Sequence, residues 1–118
     1  MAGERRWPRC GWKAELVMAN KFVAQNVPHR YEYRMYLEGY GPVRPDFIVL
    51  NTRTRREYIW EHCGMMDDME YVARNMKKFS AYRQSGYFLG EDIIVTMESA
   101  TQELDPDEVD QLIRHYLT

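Results

Sequence analysis

Long apolar runs are absent: no stretch approaches about 18 residues, so nothing in the sequence is built to span a membrane. The first dozen residues, Met1 to Trp12, carry charge but no apolar segment, which argues against a secretory signal. Cysteine is scarce. Cys10 and Cys63 do not make a disulfide framework, and their separation gives no zinc-ligand spacing. The expected setting is therefore reducing and cytoplasmic, without a membrane partner. There is no internal repeat and no low-complexity tract. What is there suits a folded domain: 118 residues, 45% hydrophobic, 14% aromatic and 29% charged. A chain of this length buries roughly 65% of its unfolded surface, enough for one modest core. The expected division is a polar N-terminal tail over 1–12 and a single domain over 13–118.

The net charge of −2 hides an asymmetry. Residues 1–60 hold 11 Lys and Arg against 6 Asp and Glu, whereas residues 61–118 hold 5 against 12. A first half whose positive charge is mostly arginine suits a phosphate-rich partner.

Periodicity gives a coarse order of elements. Leu16, Val17, Ala19, Phe22 and Val23 recur at helical spacing, which predicts a helix over 13–26 stopped by Pro28. Alternating aromatic and charged residues predict a strand over 31–37. A second strand is expected over 43–51, apolar on both faces at Phe47 to Leu50 and hence central, and a third over 57–63. Asp67 and Asp68 open a helix to about Ser85, with Met69, Val72, Ala73, Met76, Phe79 and Ser80 as its expected inner stripe and Gly86 as its terminating glycine. Ile93, Ile94 and Val95 lie in a short strand over 92–97. Asp105-Pro106-Asp107-Glu108 opens a last helix through Tyr116, with an acidic cap and proline at its first position. The order α-β-β-β-α-β-α implies an α/β fold with a mixed sheet flanked by helices.

The informative pair is Asp46 and Glu61. A hairpin centred on Arg53-Thr54 sets Asp46 opposite Glu61, and directly opposed residues have Cβ atoms about 4.5–5.5 Å apart. Two carboxylates that close repel unless one is protonated or a cation lies between them. A hard divalent ion with oxygen ligands, such as Mg²⁺, is a natural solution. The alternative is that each acid pairs with a nearby arginine such as Arg44. No Asn-Gly pins this turn, so register slippage is the second alternative.

Pro45-Asp46 on the second long strand and Glu61-His62-Cys63 on the third, within this order of elements, resemble the PD-(D/E)XK nuclease superfamily. The stretch Tyr58 to Asp67 also looks like bacterial and phage members of that superfamily. The resemblance implies a restriction-endonuclease-like α-β-β-β-α-β core and Mg²⁺- or Mn²⁺-dependent hydrolysis of phosphodiester bonds. At matching positions it implies Asp46 and Glu61 as metal ligands, the backbone carbonyl of His62 completing the inner shell, and Glu15 on the first helix as a further ligand. Cys63 departs from the pattern, because the family usually has lysine there, and a neutral thiol cannot replace an ammonium near a phosphate. Lys78 and Tyr82, one helical turn apart, resemble the Gln/Lys-x-x-x-Tyr helix motif of RecB-like members. Lys78 is therefore the favoured catalytic cation, with Lys77 as its alternative and Tyr82 beside it toward nucleic acid.

Arg44, Arg53, Arg55 and Arg56 are the expected backbone-holding residues, with DNA as the first partner and RNA as the second. One small domain offers a short footprint for a duplex, which leaves room for a homodimer. The rival reading keeps the fold but not the catalysis: Cys63 marks a binding module for nucleic acid or protein. The His62 ring is expected to point away from Glu61. Tyr31, Tyr33, Tyr36 and Tyr40 are read as sheet packing ahead of base stacking.

Overall fold

A computed structural model describes residues 2–118, with side chains from Lys13 onward. The side chains of the expected 1–12 tail, Cys10 among them, lie outside the described residues. The tail's backbone from Ala2 is helical and continuous with the first helix, α1 (Ala2–Ala24). The helix closes two residues before the expected end. Asn26 takes a left-handed φ of 59°, and the Val27 amide donates back to the Phe22 carbonyl at 2.8 Å. This is a C-terminal cap in which asparagine does the work usually given to glycine.

The first two expected strands are each cut in two. The stretch 31–37 becomes β1 (His29–Tyr31) and β2 (Met35–Leu37), because Glu32 adopts a φ of 52° and gives its amide to the Asp46 carbonyl. The stretch 43–51 becomes β3 (Gly41–Val43) and β4 (Phe47–Leu50). Here Pro45 has no amide to donate, and the chain changes sheets across Arg44-Pro45. The strands β2 and β3 pair only with each other. Gly39 and Gly41, both at positive φ, turn that hairpin.

The main sheet is mixed. Its order is β1-β4-β5-β6, with β5 at Glu57–Cys63 and β6 at Ile93–Met97. The pairs β1–β4 and β4–β5 are antiparallel, and β5–β6 is parallel. Two helices complete the chain: α2 (Met69–Gln84), which crosses between β5 and β6, and α3 (Pro106–Leu117). Among the described residues no helix is long and apolar enough to cross a membrane.

Alternation along β5 sends Trp60 and His62 to one face and Ile59, Glu61 and Cys63 to the other. On the first face Trp60 joins Met18 and Phe22 of α1 and Val109 and Ile113 of α3. Burying each of these large apolar side chains contributes roughly 1.5–3 kcal/mol. On the second face Ile59 and Ile93 pack beneath Leu37 and Val43 of the small hairpin and Ala81 and Tyr82 of α2.

The caps of α2 are as its sequence predicts. Asp68 accepts the amides of Glu70 and Tyr71, Ser85 closes the other end, and Gly86 has a φ of 95°. Its orientation differs. Of the expected inner stripe, Phe79 packs on the core and Val72 and Ser80 are half-buried, but Met69 (83%) and Met76 (67%) are exposed, as is Ala73, so the apolar spacing marks the inner face only in part. Tyr71, Asn75, Lys78 and Tyr82 are turned toward the sheet instead. Lys78 and Tyr82 bond the Glu61 carboxylate and Tyr71 the Gly64 amide, which makes polar ends favourable there.

Candidate functional site

The β4–β5 ladder pairs Leu50 with Glu57 and ends with Phe47 against Trp60. One step further, Asp46 faces Glu61, in the register that a turn centred on Arg53-Thr54 requires. Asn51 pins that turn where Asn-Gly is lacking. Its side-chain oxygen accepts the amides of Arg53 and Thr54, and its carbonyl accepts that of Arg55 at 2.7 Å.

Each acid has a defined set of donors, and none is the arginine partner considered from sequence. Asp46 Oδ2 accepts the His62 backbone amide at 2.7 Å, so its side chain continues the ladder where strand pairing stops. Glu61 is 3% exposed. Its Oε2 accepts the Tyr82 hydroxyl at 2.6 Å and its Oε1 accepts Lys78 Nζ at 3.2 Å. Glu15 Oε1 accepts the Tyr31 hydroxyl at 2.6 Å. The three carboxylates, a fourth from Glu32, and Lys78 line one open cavity of about 420 Å³, to which Arg44 and Arg74 also contribute.

Among the described residues no group of three or more His, Cys, Asp or Glu side chains is arranged to hold a metal ion by itself. The chemistry of the donors nevertheless fits a hard cation. They are carboxylate oxygens, and Mg²⁺ commonly takes only one or two of these and fills its shell with water and phosphate. The electrostatics fit as well. Burial first, and then the charge of Glu61, push the Asp46 carboxyl up to about 8; the His62 amide acts in the opposite direction. A carboxyl so raised is short of positive charge.

The raised Asp46 has a consequence for stability. The folded state holds the Asp46 proton at pH values where the unfolded chain, with an ordinary value of 3.8, has released it. Deprotonation therefore favours unfolding, and in chelator the melting temperature should fall as pH rises from about 4 to about 8. Asp46→Asn should flatten that slope in a thermal melt series. An unchanged slope would remove Asp46 as its source.

Other residues fall into place around this centre. Lys77 is exposed and does not line the cavity, so the structure separates it from Lys78. Tyr82 is fully buried and cannot touch nucleic acid; it holds Glu61 instead. Arg53, Arg55 and Arg56 sit at the hairpin turn, at the far end of β4 and β5 from the acids. Arg53 caps the Thr118 carbonyl, and Arg56 pairs with Asp92 at 2.9 Å. Of the four arginines expected near the site, only Arg44 lines its cavity.

The His62 ring does point away from Glu61. It lies between Thr96 Oγ1 at 2.7 Å and Glu98 Oε1 at 3.0 Å, and Glu98 also accepts the Leu104 amide. Cys63 shares the Glu61 face and is buried, which pushes its thiol up to about 11, with the Glu61 charge adding to the effect. It is a neutral neighbour at pH 7, not a nucleophile.

Sequence reasoning missed Tyr31, Tyr71, Arg74 and Asn75. The Tyr71 hydroxyl accepts the Gly64 amide at 2.9 Å and ties α2 to the end of β5. The spacing of Tyr71, Asn75, Lys78 and Tyr82 was a visible signal: together they form one stripe of a helix. Tyr31 left no such trace, since its partner Glu15 lies on another element. No protein-family model, curated relative or solved structure matches the chain.

Proposed function

We propose that this chain is a metal-dependent nuclease of the PD-(D/E)XK type that hydrolyses phosphodiester bonds in DNA. The observation that carries the reading is the facing pair Asp46 and Glu61 at the end of the β4–β5 ladder, in one open cavity with Glu15 and Lys78. The reading takes α1, the strands β1, β4 and β5, α2 and β6 as a restriction-endonuclease-like core. Asp46 and Glu61, with Glu15 and the His62 carbonyl as further oxygen donors, would hold Mg²⁺ or Mn²⁺, which lowers the pKa of a water and offsets charge on phosphate.

The chain's own side chains do the rest. Tyr82 fixes the Glu61 carboxylate from below, and Tyr31 fixes Glu15. Lys78 brings the cation that Cys63 cannot supply, from one turn before Tyr82 on the adjacent helix. Its ammonium stands 3.2 Å from Glu61, within reach of a phosphate in the same cavity. Arg44 and Arg74 add positive charge to the cavity wall.

The test is cleavage of single-stranded, duplex and branched DNA and of RNA with Mg²⁺ or Mn²⁺, with and without chelator. Cleavage that chelator abolishes is the expected result. No cleavage of any substrate with either ion would overturn the reading in favour of a binding module of the same fold.

A further inference from the structure

Four of the nine tyrosines fall within residues 31–40, and all four are exposed: Tyr31 54%, Tyr33 45%, Tyr36 74% and Tyr40 46%. The other five are half-buried or buried. Sheet packing, the first expectation for this segment, therefore does not account for them. Tyr31 is engaged, since its hydroxyl binds Glu15 and its ring packs near Phe47. Tyr33, Tyr36 and Tyr40 present ring surface to solvent.

Arginines alternate with them. The Arg30 guanidinium lies 5.3 Å from the centre of the Tyr33 ring. Among the described residues, Arg30, Arg34 and Arg44 form no ion pair with an acidic side chain. These groups are distributed over two neighbouring cavities. Tyr40 and Arg44 line the carboxylate cavity, and Arg30, Tyr33, Arg34 and Tyr36 line a second of about 480 Å³. Both open on the same face of the sheet. The first reaches Glu61 and the second Ile59 and Glu57, so they are separated along β5 by no more than roughly 13 Å, at about 3.3 Å per residue. The β2–β3 hairpin, which carries Tyr36 and joins the two groups of residues, lies over the same face.

We infer that the substrate is a single nucleic-acid strand, which runs from the carboxylate cavity along the β1–β3 segment into the second cavity. The inference rests on the nuclease reading for the identity of the site. Unpaired bases stack on Tyr40, Tyr36 and Tyr33, and Arg44, Arg34 and Arg30 take the phosphates. Ring faces select a single strand because a duplex keeps its base faces covered by their neighbours.

Binding rather than cleavage tests this, with the wild-type chain in chelator so that nothing is hydrolysed. The probes are fluorescent oligodeoxyuridylate and oligouridylate of about 12 nucleotides, which differ only at the 2′-hydroxyl and lie within known single-strand site sizes, and a duplex of the same length. Anisotropy should show a single strand bound at least about tenfold more tightly than the duplex, and the tighter of the two single strands assigns the sugar. Tyr36→Ala and Tyr33→Ala should each weaken single-strand binding about tenfold, whereas Tyr36→Phe, which keeps the ring, should bind like wild type. Arg34→Ala should reduce the slope of log affinity against log salt by about 0.7, the loss of one phosphate contact. Equal or tighter duplex binding, or alanine variants indistinguishable from wild type, would overturn the inference. Ion-dependent duplex cleavage that Tyr36→Ala leaves intact would overturn it while sparing the nuclease reading. Tyrosine-dependent strand binding without any cleavage would do the reverse.

Discussion

Lys78→Ala is expected to lower turnover by about 10²-fold or more, while Lys77→Ala leaves it close to wild type. The argument is electrostatic. On the nuclease reading, a phosphodiester gains negative charge on the way to its pentavalent state, and the position where that reading calls for a lysine on the third long strand holds Cys63, a neutral thiol. Lys78 is the lysine whose ammonium reaches the carboxylate cavity, at 3.2 Å from Glu61. Lys77, one residue earlier, is turned to solvent.

The same substitution carries a structural effect that must be separated from the catalytic one. Removing Lys78 leaves the buried Glu61 with the Tyr82 hydroxyl as its remaining donor, and breaking a buried pair from one side costs about 3 kcal/mol. Activity should therefore be measured well below the melting temperature of the variant. Lys78→Arg keeps the charge and should recover stability more than rate, because a planar guanidinium does not sit where a compact ammonium does. Full activity in both Lys78→Ala and Lys77→Ala would refute the role.

The second large effect concerns the divalent ion. Metal-free, Asp46 and Glu61 oppose one another, and Asp46 answers by holding a proton to about pH 8. An ion between them replaces that proton, so loading the site should release protons and stabilise the fold. At an ion concentration 100 times the dissociation constant, linkage adds about 2.7 kcal/mol. For a domain of this size that is roughly 10 °C in melting temperature. Asp46→Asn removes the repulsion and the ligand together. The variant should melt higher than wild type in chelator at pH 8, gain almost nothing from Mn²⁺ and lose ion-dependent cleavage. A variant that responds to Mn²⁺ as wild type does would show that the ion binds elsewhere.

Much of this site was legible in one dimension because a hairpin converts sequence separation into a facing pair. The positions of Asp46 and Glu61 followed from the turn, and the ladder from Leu50–Glu57 to Phe47–Trp60 follows that register. What held the register was less visible, since the side chain of Asn51 does it from outside the turn's centre. The limits of β5 and the caps of α2 and α3 were legible for a similar reason: they depend on nearby residues.

The facing of α2 was not. Apolar spacing pointed to Met69, Val72, Ala73, Met76, Phe79 and Ser80; Phe79 does pack on the core, but Met69, Ala73 and Met76 are exposed, and the helix turns Tyr71, Asn75, Lys78 and Tyr82 inward. Hydrophobic periodicity fails where the surface being covered is itself charged, because the groups that belong against carboxylates are hydroxyls and ammonium. The break at Glu32 was hidden for another reason. It depends on a left-handed glutamate whose amide meets a carbonyl 14 positions away, and no local residue type announces that. The role given to Tyr82 from its motif changed once its burial was visible: a residue with no exposure positions Glu61 and has no surface to offer a partner.

The central claim is that Asp46 and Glu61 jointly hold a divalent ion, and calorimetric titration of Mn²⁺ into the metal-free chain at pH 7 tests it most directly. The account predicts one saturable site per chain, with protons released on binding, as two buffers of different ionisation enthalpy would reveal. Asp46→Asn should abolish the site. Saturable binding that is the same in wild type and Asp46→Asn, or no binding to wild type at millimolar Mn²⁺, would contradict it.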